Sequence, residues 1–495
     1  MATQHSSHME ALRAPLTTTT AIQPYKATAF DVWALGITIV IGGQYFSWNA
    51  GLVAGVASNA AAIFIVGLAY VCLVLSMAEM TSTLPFAGGA YGLSRCCLGY
   101  FSGFVIGCCE ALEYIAYVST SVLMLGEMLQ IVLPAITDAL LPVAWLVIYV
   151  VAVVIHIYGG CFFWLFNRFV ALLSTVLLLA YCLGSLPTVS FTSNAGGSDN
   201  MFVGGFSSFF TTMPLAAWFF VGVEVLNTVS NLVQNPRDVI PNGQIPCIFT
   251  LFACSIFVFF VAVSLPPGAV NLPSVVAVFN SGYMIMFGVS DDVATLLSLP
   301  ATFATIFGFI LAYGNILTAL SHSKLLPAWL GIPSKKYHTY PWALIGGSVL
   351  GYLLCFAVHY HASFGAELFN ICMFFGFSCY IAQCVGYIYL KREFEHLPRR
   401  YRSPFGKGGV YFAGVVWIAN LVSIVCCQKE SAFVCSVVAS ILGVLTIYYY
   451  GYAKHRQTFS DDERQVLFFA HVAKSVSRRS GSQCLTSSSR QSKQA

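Results

Sequence analysis

The sequence predicts an all-α integral membrane protein with about twelve transmembrane helices, and three observations predict it. Of its 495 residues, 58% are hydrophobic and only 8% charged, where a soluble domain carries about 25% charged residues. Apolar runs of about twenty residues recur along the chain, each long enough to cross the roughly 30 Å hydrocarbon core of a bilayer. Lys and Arg, finally, are distributed in a pattern that a wrong count of crossings would scramble.

The first span, 30 to 54, is apolar up to Ile41 and is then interrupted by Gly42, Gly43, Gln44 and Tyr45, followed by Ser47, Trp48 and Asn49, at roughly mid-membrane depth. Spans at 57 to 77 and 98 to 130 follow, the second of these carrying Glu110 and Glu113; spans at 141 to 159 and 169 to 190 complete the first five. The sixth, 206 to 233, contains Pro214, Trp218, Gly222 and Glu224 inside its apolar run. The second six spans are expected near 245 to 265, 295 to 322, 341 to 358, 365 to 390, 409 to 427 and 432 to 452.

An even count puts both chain ends on one side. With both tails and alternate loops taken as cytoplasmic, 22 of the 23 Lys and Arg fall inside, and Lys429 alone falls outside. The loop from Lys391 to Lys407 holds Lys391, Arg392, Arg399, Arg400, Arg402 and Lys407, whereas the loops near 187 to 205 and 266 to 294 hold no basic residue. Basic residues concentrate on the cytoplasmic side of membrane proteins, so both ends are expected in the cytoplasm. Residues 1–27, with Thr17 to Thr20 in a row, and 454–495, rich in Ser, Arg and Gln, are expected to be disordered tails flanking a transporter domain over 28–453. Ser475, Ser477, Ser480 and Ser482 beside Arg478 and Arg479 suit phosphorylation or contact with anionic lipid, although a plain solvated tail explains them as well.

Several function classes are excluded. Net charge is only +4 and the basic residues form no groove-sized patch, so nucleic acid is not an expected partner. No basic, apolar and small-residue series marks a cleaved signal at the N-terminus, and the first span is expected to serve for insertion; with no organelle-targeting presequence either, the plasma membrane is the expected location. The seventeen cysteines lie mostly inside apolar runs, with adjacent pairs at Cys96 and Cys97, Cys108 and Cys109, and Cys426 and Cys427, and show neither zinc-site nor disulfide-framework spacing. His156, His359 and His361 have no partner at metal-ligand spacing. No Gly-rich phosphate loop or nucleophile elbow is present, which argues against ATP-driven transport and against a membrane-embedded enzyme, and no ring of charges suggests a channel. No cofactor is expected.

What remains informative are interruptions and buried charges. Inside a membrane every backbone polar group must be satisfied, so a broken helix is tolerated only where it faces protein or a water-filled cavity. If the first ten helices form two inverted five-helix repeats, spans one and six are equivalent, and paired breaks at equivalent positions mark a transport site. Half-helix N-termini offer N–H groups to a carboxylate, and C-terminal ends offer carbonyls to an ammonium. The alternative is that Gly42 and Gly43 merely permit close helix packing. Ionisable residues at membrane depth cost roughly 2.5 to 3.5 kcal/mol and are functional hypotheses by default. Here they are Glu110, Glu113 and Glu224, none with a basic partner in the membrane, each either a site that binds and releases a proton or a permanently protonated packing residue; Glu79 and Glu127 lie near span ends where they are expected to meet water.

The stretch AEMTSTLPFAGGAYGLSRCCLG from Ala78 to Gly99 resembles the loop after the second helix in the amino acid, polyamine and organocation permease superfamily. Trp218, Gly222, Glu224, Asn235, Pro236, Arg237 and Pro241 are similar to that superfamily's pattern at the sixth helix, and ALSHSKLLPAWL at 319 to 330, YPWALIGGSVLGY at 340 to 352 and YRSPFGKGG at 401 to 409 extend the likeness, which runs from about 28 to 425. Through IGGQYFSWNAGL at 41 to 52 the chain most resembles ethanolamine permease-like members, from which it departs at Asn231 and Leu232, where those carry a pair of glutamates, and at His322, where they carry an arginine.

The resemblance implies the leucine-transporter fold and secondary active transport of amino acids or small amino alcohols such as ethanolamine by alternating access, driven by a proton or another ion or by exchange. It implies substrate binding at Ile39, Gly42, Gly43, Gln44 and Tyr45 on the first span and at Trp218, Phe219, Val221 and Gly222 on the sixth, with coupling or gating by Glu224, Glu113 and Tyr114. A nutrient sensor that keeps this fold but signals through its tails is the alternative.

Overall fold

The structure is a computed structural model that describes residues 25–86, 88–395, 397, 399–460 and 463–464. The four tail serines and Thr17 to Thr20 lie outside the described residues. Among the described residues the chain is helical throughout, with one isolated bridge between Ala27 and Val233. Among the described residues ten helices are long and apolar enough to cross a membrane, and two further pairs, each bent at a short break, bring the spans to twelve when each pair counts as one.

The first span comprises α1 (Ala29–Val40), α2 (Gly42–Tyr45) and a tight turn Trp48–Ala54. It starts with a capping box in which Thr28 and Asp31 satisfy each other's backbone N–H groups. Then come α3 (Val56–Thr83), the short α4 (Gly89–Cys97), α5 (Tyr100–Val132), α6 (Leu141–Tyr158) and α7 (Gly160–Ser185). The sixth span is α8 (Gly205–Thr212) followed by two 3₁₀ segments, Met213–Phe219 and Val223–Val229. The remainder comprises α9 (Pro236–Val263), the short α10 (Asn280–Phe287) and α11 (Asp291–Leu296), α12 (Leu299–His322), α13 (Pro341–Tyr360), α14 (Ala362–Glu393), α15 (Gly406–Val422) and α16 (Ser431–Tyr448).

Exposed side chains show which helices meet lipid. On α6, Val143, Val147, Val150 and Val154 are exposed, and on α15, Tyr411, Val415, Ile418 and Val422; both sets recur every three or four residues, the period of one helix face. Around their breaks the first and sixth spans have no such face. Every residue from Ala216 to Ser230 is buried, as is every residue from Asp31 to Phe46 except Trp33. The breaks of these two spans thus lie in the centre of the bundle, where neighbouring helices supply hydrogen bonds to the irregular backbone.

Two expectations change in detail. The fifth span begins at Gly160 rather than near 169, so Arg168 sits within α7 and pairs with Asp31 of α1. Glu79 does not meet water: it is fully buried, with Lys391 at 2.6 Å and Arg399 at 3.2 Å. The basic loop after α14 folds back onto the end of α3, because a buried carboxylate must be paired with cations to be tolerated.

Candidate functional site

The two broken spans cross at the middle of the bundle. The first bends by 44° at Phe46–Ser47 and the second by 42° between Phe219 and Val223. The bend of the first span therefore lies just past the glycine pair, where Phe46 is extended and Ser47 takes a φ of 72°. Gly42 and Gly43 are themselves helical, and what they provide is close approach. A Cβ on Gly43 would strike the carbonyl of Trp218, and one on Gly42 would strike Thr305. In the second span Pro214 removes a backbone donor as the helix tightens, and Gly222, at a φ of 101°, supplies the left-handed turn that glycine adopts without penalty.

Most of the residues expected on the two spans meet there. Gln44 Nε2 donates to the Phe219 carbonyl at 3.0 Å. The side chain of Ile39 occupies the space beside Gly222 that a Cβ would need, and Val221 is buried next to it. The Gly42 N–H donates to Thr305 Oγ1 of α12 at 2.8 Å. Tyr45 is directed elsewhere: its hydroxyl donates to the Ser174 carbonyl of α7 at 2.8 Å and its ring lies 4.4 Å from Phe279. The Trp218 ring stacks on Phe369 at 4.8 Å and meets Tyr117 and Phe46 edge-on at 5.5 and 5.7 Å.

Beside this crossing lie three buried carboxyl groups. Glu224 reaches back to accept the Gly222 N–H at 3.0 and 3.2 Å. The Tyr380 hydroxyl of α14 stands between two acids, 2.9 Å from Glu113 and 3.2 Å from Glu224, with the Tyr70 hydroxyl at 3.4 Å. Tyr114 donates to Glu110 at 3.2 Å, and Glu110 also accepts the Ala90 N–H at the start of α4 at 3.0 Å. Glu113 and Glu224, both expected to act in coupling or gating, are therefore joined through a residue the sequence did not single out, while Tyr114, expected beside Glu113, donates to Glu110. Tyr380, Tyr70, Thr305 and Phe369 carry no motif; an isolated Tyr in an apolar span is the only sequence signal that points to the first two.

A cavity opens on each side of the crossing. One, of about 520 Å³, is lined by Ser47, Asn49, Thr120, Glu127, His359 and Phe369 and ends on Trp218. The other, of about 340 Å³, lies between Lys26, His156, Thr228, Asn315, His322 and Tyr340. The start of α1 closes off this second side. Arg168 of α7 pairs with Asp31 and contacts Tyr25, and the Tyr25 hydroxyl donates to Asp31 at 2.8 Å. Burial and the adjacent Asp31 carboxylate push the Tyr25 phenol up to about 12, which keeps it a neutral donor. The Ala27 N–H donates to the Leu232 carbonyl at 3.0 Å and Lys26 to the Asn231 carbonyl at 3.2 Å. Asn231 and Leu232 thus hold the residues before α1 through their backbone carbonyls.

The profile of the amino acid permease family matches residues 33–463. An uncharacterized transporter of Rhizobium meliloti is 25% identical over 331 residues, covering 62% of this chain and 67% of that protein. A branched-chain amino acid permease of Lactococcus lactis is 24% identical over 61% of this chain and 70% of its own length, and one of Bacillus subtilis is 23% identical over 76% and 83%.

Proposed function

Since the chain belongs to the amino acid permease family, we propose that it moves amino acids or small amino alcohols such as ethanolamine by alternating access, with Glu113 and Glu224 forming a shared proton site. The observation that carries this reading is the crossing of the two breaks at Gly43 and Trp218, next to carboxyl groups that have no basic counterpart: neither 31 to 54 nor 205 to 230 contains a Lys or Arg. A substrate carboxylate must then be held by backbone N–H groups beside the breaks, such as that of Gly43. Its ammonium takes the Trp218 and Val221 carbonyls and the faces of Trp218 and Phe46. Because the Trp218 carbonyl fills the space above Gly43, the breaks must part to admit substrate, which makes the described conformation a closed one. The aromatic wall of Trp218, Tyr117, Phe46 and Phe369 favours an apolar side chain, as the branched-chain permeases among its relatives would suggest.

Proton coupling follows from counting hydrogens. Tyr380 has one hydroxyl hydrogen and two carboxyl neighbours, so it donates to one acid and the other must supply its own hydrogen. One proton shared between Glu113 and Glu224 satisfies both, and substrate entry at Gly222 disturbs Glu224 directly. The positive-inside pattern supports a cytoplasmic position for the Lys26 and His322 side and both tails, and the plasma membrane is the membrane we propose.

The test is uptake of radiolabelled ethanolamine and an amino acid panel including leucine, isoleucine and valine into liposomes holding purified protein, with and without an inward proton gradient, beside Glu224→Gln. Gradient-stimulated accumulation that the variant loses supports the proposal. Accumulation indifferent to the gradient removes proton coupling, and no flux from folded protein favours the nutrient sensor.

A further inference from the structure

Glu463 is the last buried acid among the described residues, about 5% exposed, and belongs to neither the substrate site nor any membrane span. Its carboxylate joins two separate elements. It forms an ion pair with Arg95 of α4 at 2.8 Å, accepts the Tyr91 hydroxyl at 2.9 Å, and accepts the Ser323 hydroxyl just beyond α12 at 2.7 Å. The segment leading to it is held equally closely. The Thr458 N–H donates to the Ser323 carbonyl at 3.0 Å, Arg95 donates to the Thr458 carbonyl at 3.2 Å, and the Phe459 ring lies 4.8 Å from the Arg95 guanidinium. The Ser460 N–H donates to Glu463 at 2.7 Å while the Glu463 N–H donates to Ser460 Oγ at 3.2 Å, a capping box that fixes the carboxylate's direction.

This placement matters because of what α4 and α12 border. Ser460, Gly88, Thr318 and His322 line the same cavity as Lys26 and Asn315, so the segment forms part of the wall of that vestibule. At its other end α4 touches the substrate region: the Ala90 N–H donates to Glu110, and a Cβ on Gly89 would collide with that carboxylate. A buried ion pair stabilises a fold only weakly compared with apolar packing, and its best attested use is to fix one of two arrangements. The pair here closes a bridge from the C-terminal segment through α4 to Glu110, across the seam between α4 and α12.

The geometry points to residues 457–460 together with Glu463 as a built-in latch: they dock in the groove between α4 and the end of α12, hold that side of the transporter closed, and must release Glu463 before the vestibule opens. Release leaves Arg95 for solvent or for the phosphates of the adjacent membrane, so the latch is set by the chain's own tail.

Hydrogen exchange on the full-length protein, with no substrate added, tests this independently of whether the transport reading holds. Two preparations are compared with the wild type. One is Glu463→Gln; the other carries a protease site inserted after Arg456 and is cut only after folding, with the uncut form as its control. The expected result is a rise of about tenfold or more in exchange across 89–97 and 314–322, with 141–155 unchanged as the check on folding. A rise confined to 457–464 in the cut protein would mean that the segment is a passive brace and would overturn the proposal. The cut protein decides the matter even if Glu463→Gln does not fold.

Discussion

Replacing Tyr380 with Phe removes a single oxygen from the centre of the candidate proton site. The ring is fully buried and keeps its neighbours, with Tyr70 at 5.5 Å and Trp417 at 5.3 Å, so no cavity or overpacking results. What disappears is the hydroxyl 2.9 Å from Glu113 and 3.2 Å from Glu224. It has one hydrogen and hence donates one strong bond at a time; a hydrogen bond to a charged group contributes about 1.5 to 3 kcal/mol. At about 1.4 kcal/mol per factor of ten, the shared-proton state should be disfavoured roughly tenfold to a hundredfold. Proton-driven accumulation in liposomes should fall by that factor, while substrate exchange at equal pH on both sides, which needs no net proton movement, should fall far less. Melting temperature serves as the control and should stay within a few degrees. Undiminished gradient-driven accumulation in Tyr380→Phe would refute the argument that this hydroxyl links the two acids, and an equal loss of both transport modes would assign Tyr380 to the substrate pocket instead.

Three further perturbations are checked more simply. Gly43→Ala should cost about 1 to 3 kcal/mol of stability, because an added methyl in a packed site displaces its surroundings and here the obstacle is the backbone carbonyl of Trp218; thermal melting and substrate affinity should fall together. Arg168→Gln leaves the buried Asp31 without its cation, and with the arginine itself one-third exposed the loss should be about 1 to 3 kcal/mol, below that of a fully buried pair; hydrogen exchange across 25–35 should rise while the far cavity is unaffected. Glu79→Gln strands Lys391 and Arg399 and should lower the melting temperature by several degrees without changing substrate preference in the uptake panel.

The sequence by itself determined the fold class, the number of spans and the identity of the two that break. These are consequences of composition: so few charges and so many twenty-residue apolar runs leave a bilayer as the only solvent, and Gly42–Gly43, Pro214 and Gly222 stand out against that uniform background. It also marked Glu113 and Glu224, since a carboxylate in such a span has no ordinary reason to be there. Tertiary structure decided the rest. That the first span bends at Phe46–Ser47, that Thr305 takes the Gly42 N–H, and that Tyr380 joins two acids more than a hundred residues apart in sequence all depend on which helix faces reach the centre. Periodicity gives a helix its faces but not its neighbours. The same limit hid the pairing of Glu79 with the loop after α14 and the docking of Glu463 on Arg95, because an isolated charge near a span end reads the same whether it meets water or a partner brought to it by the fold.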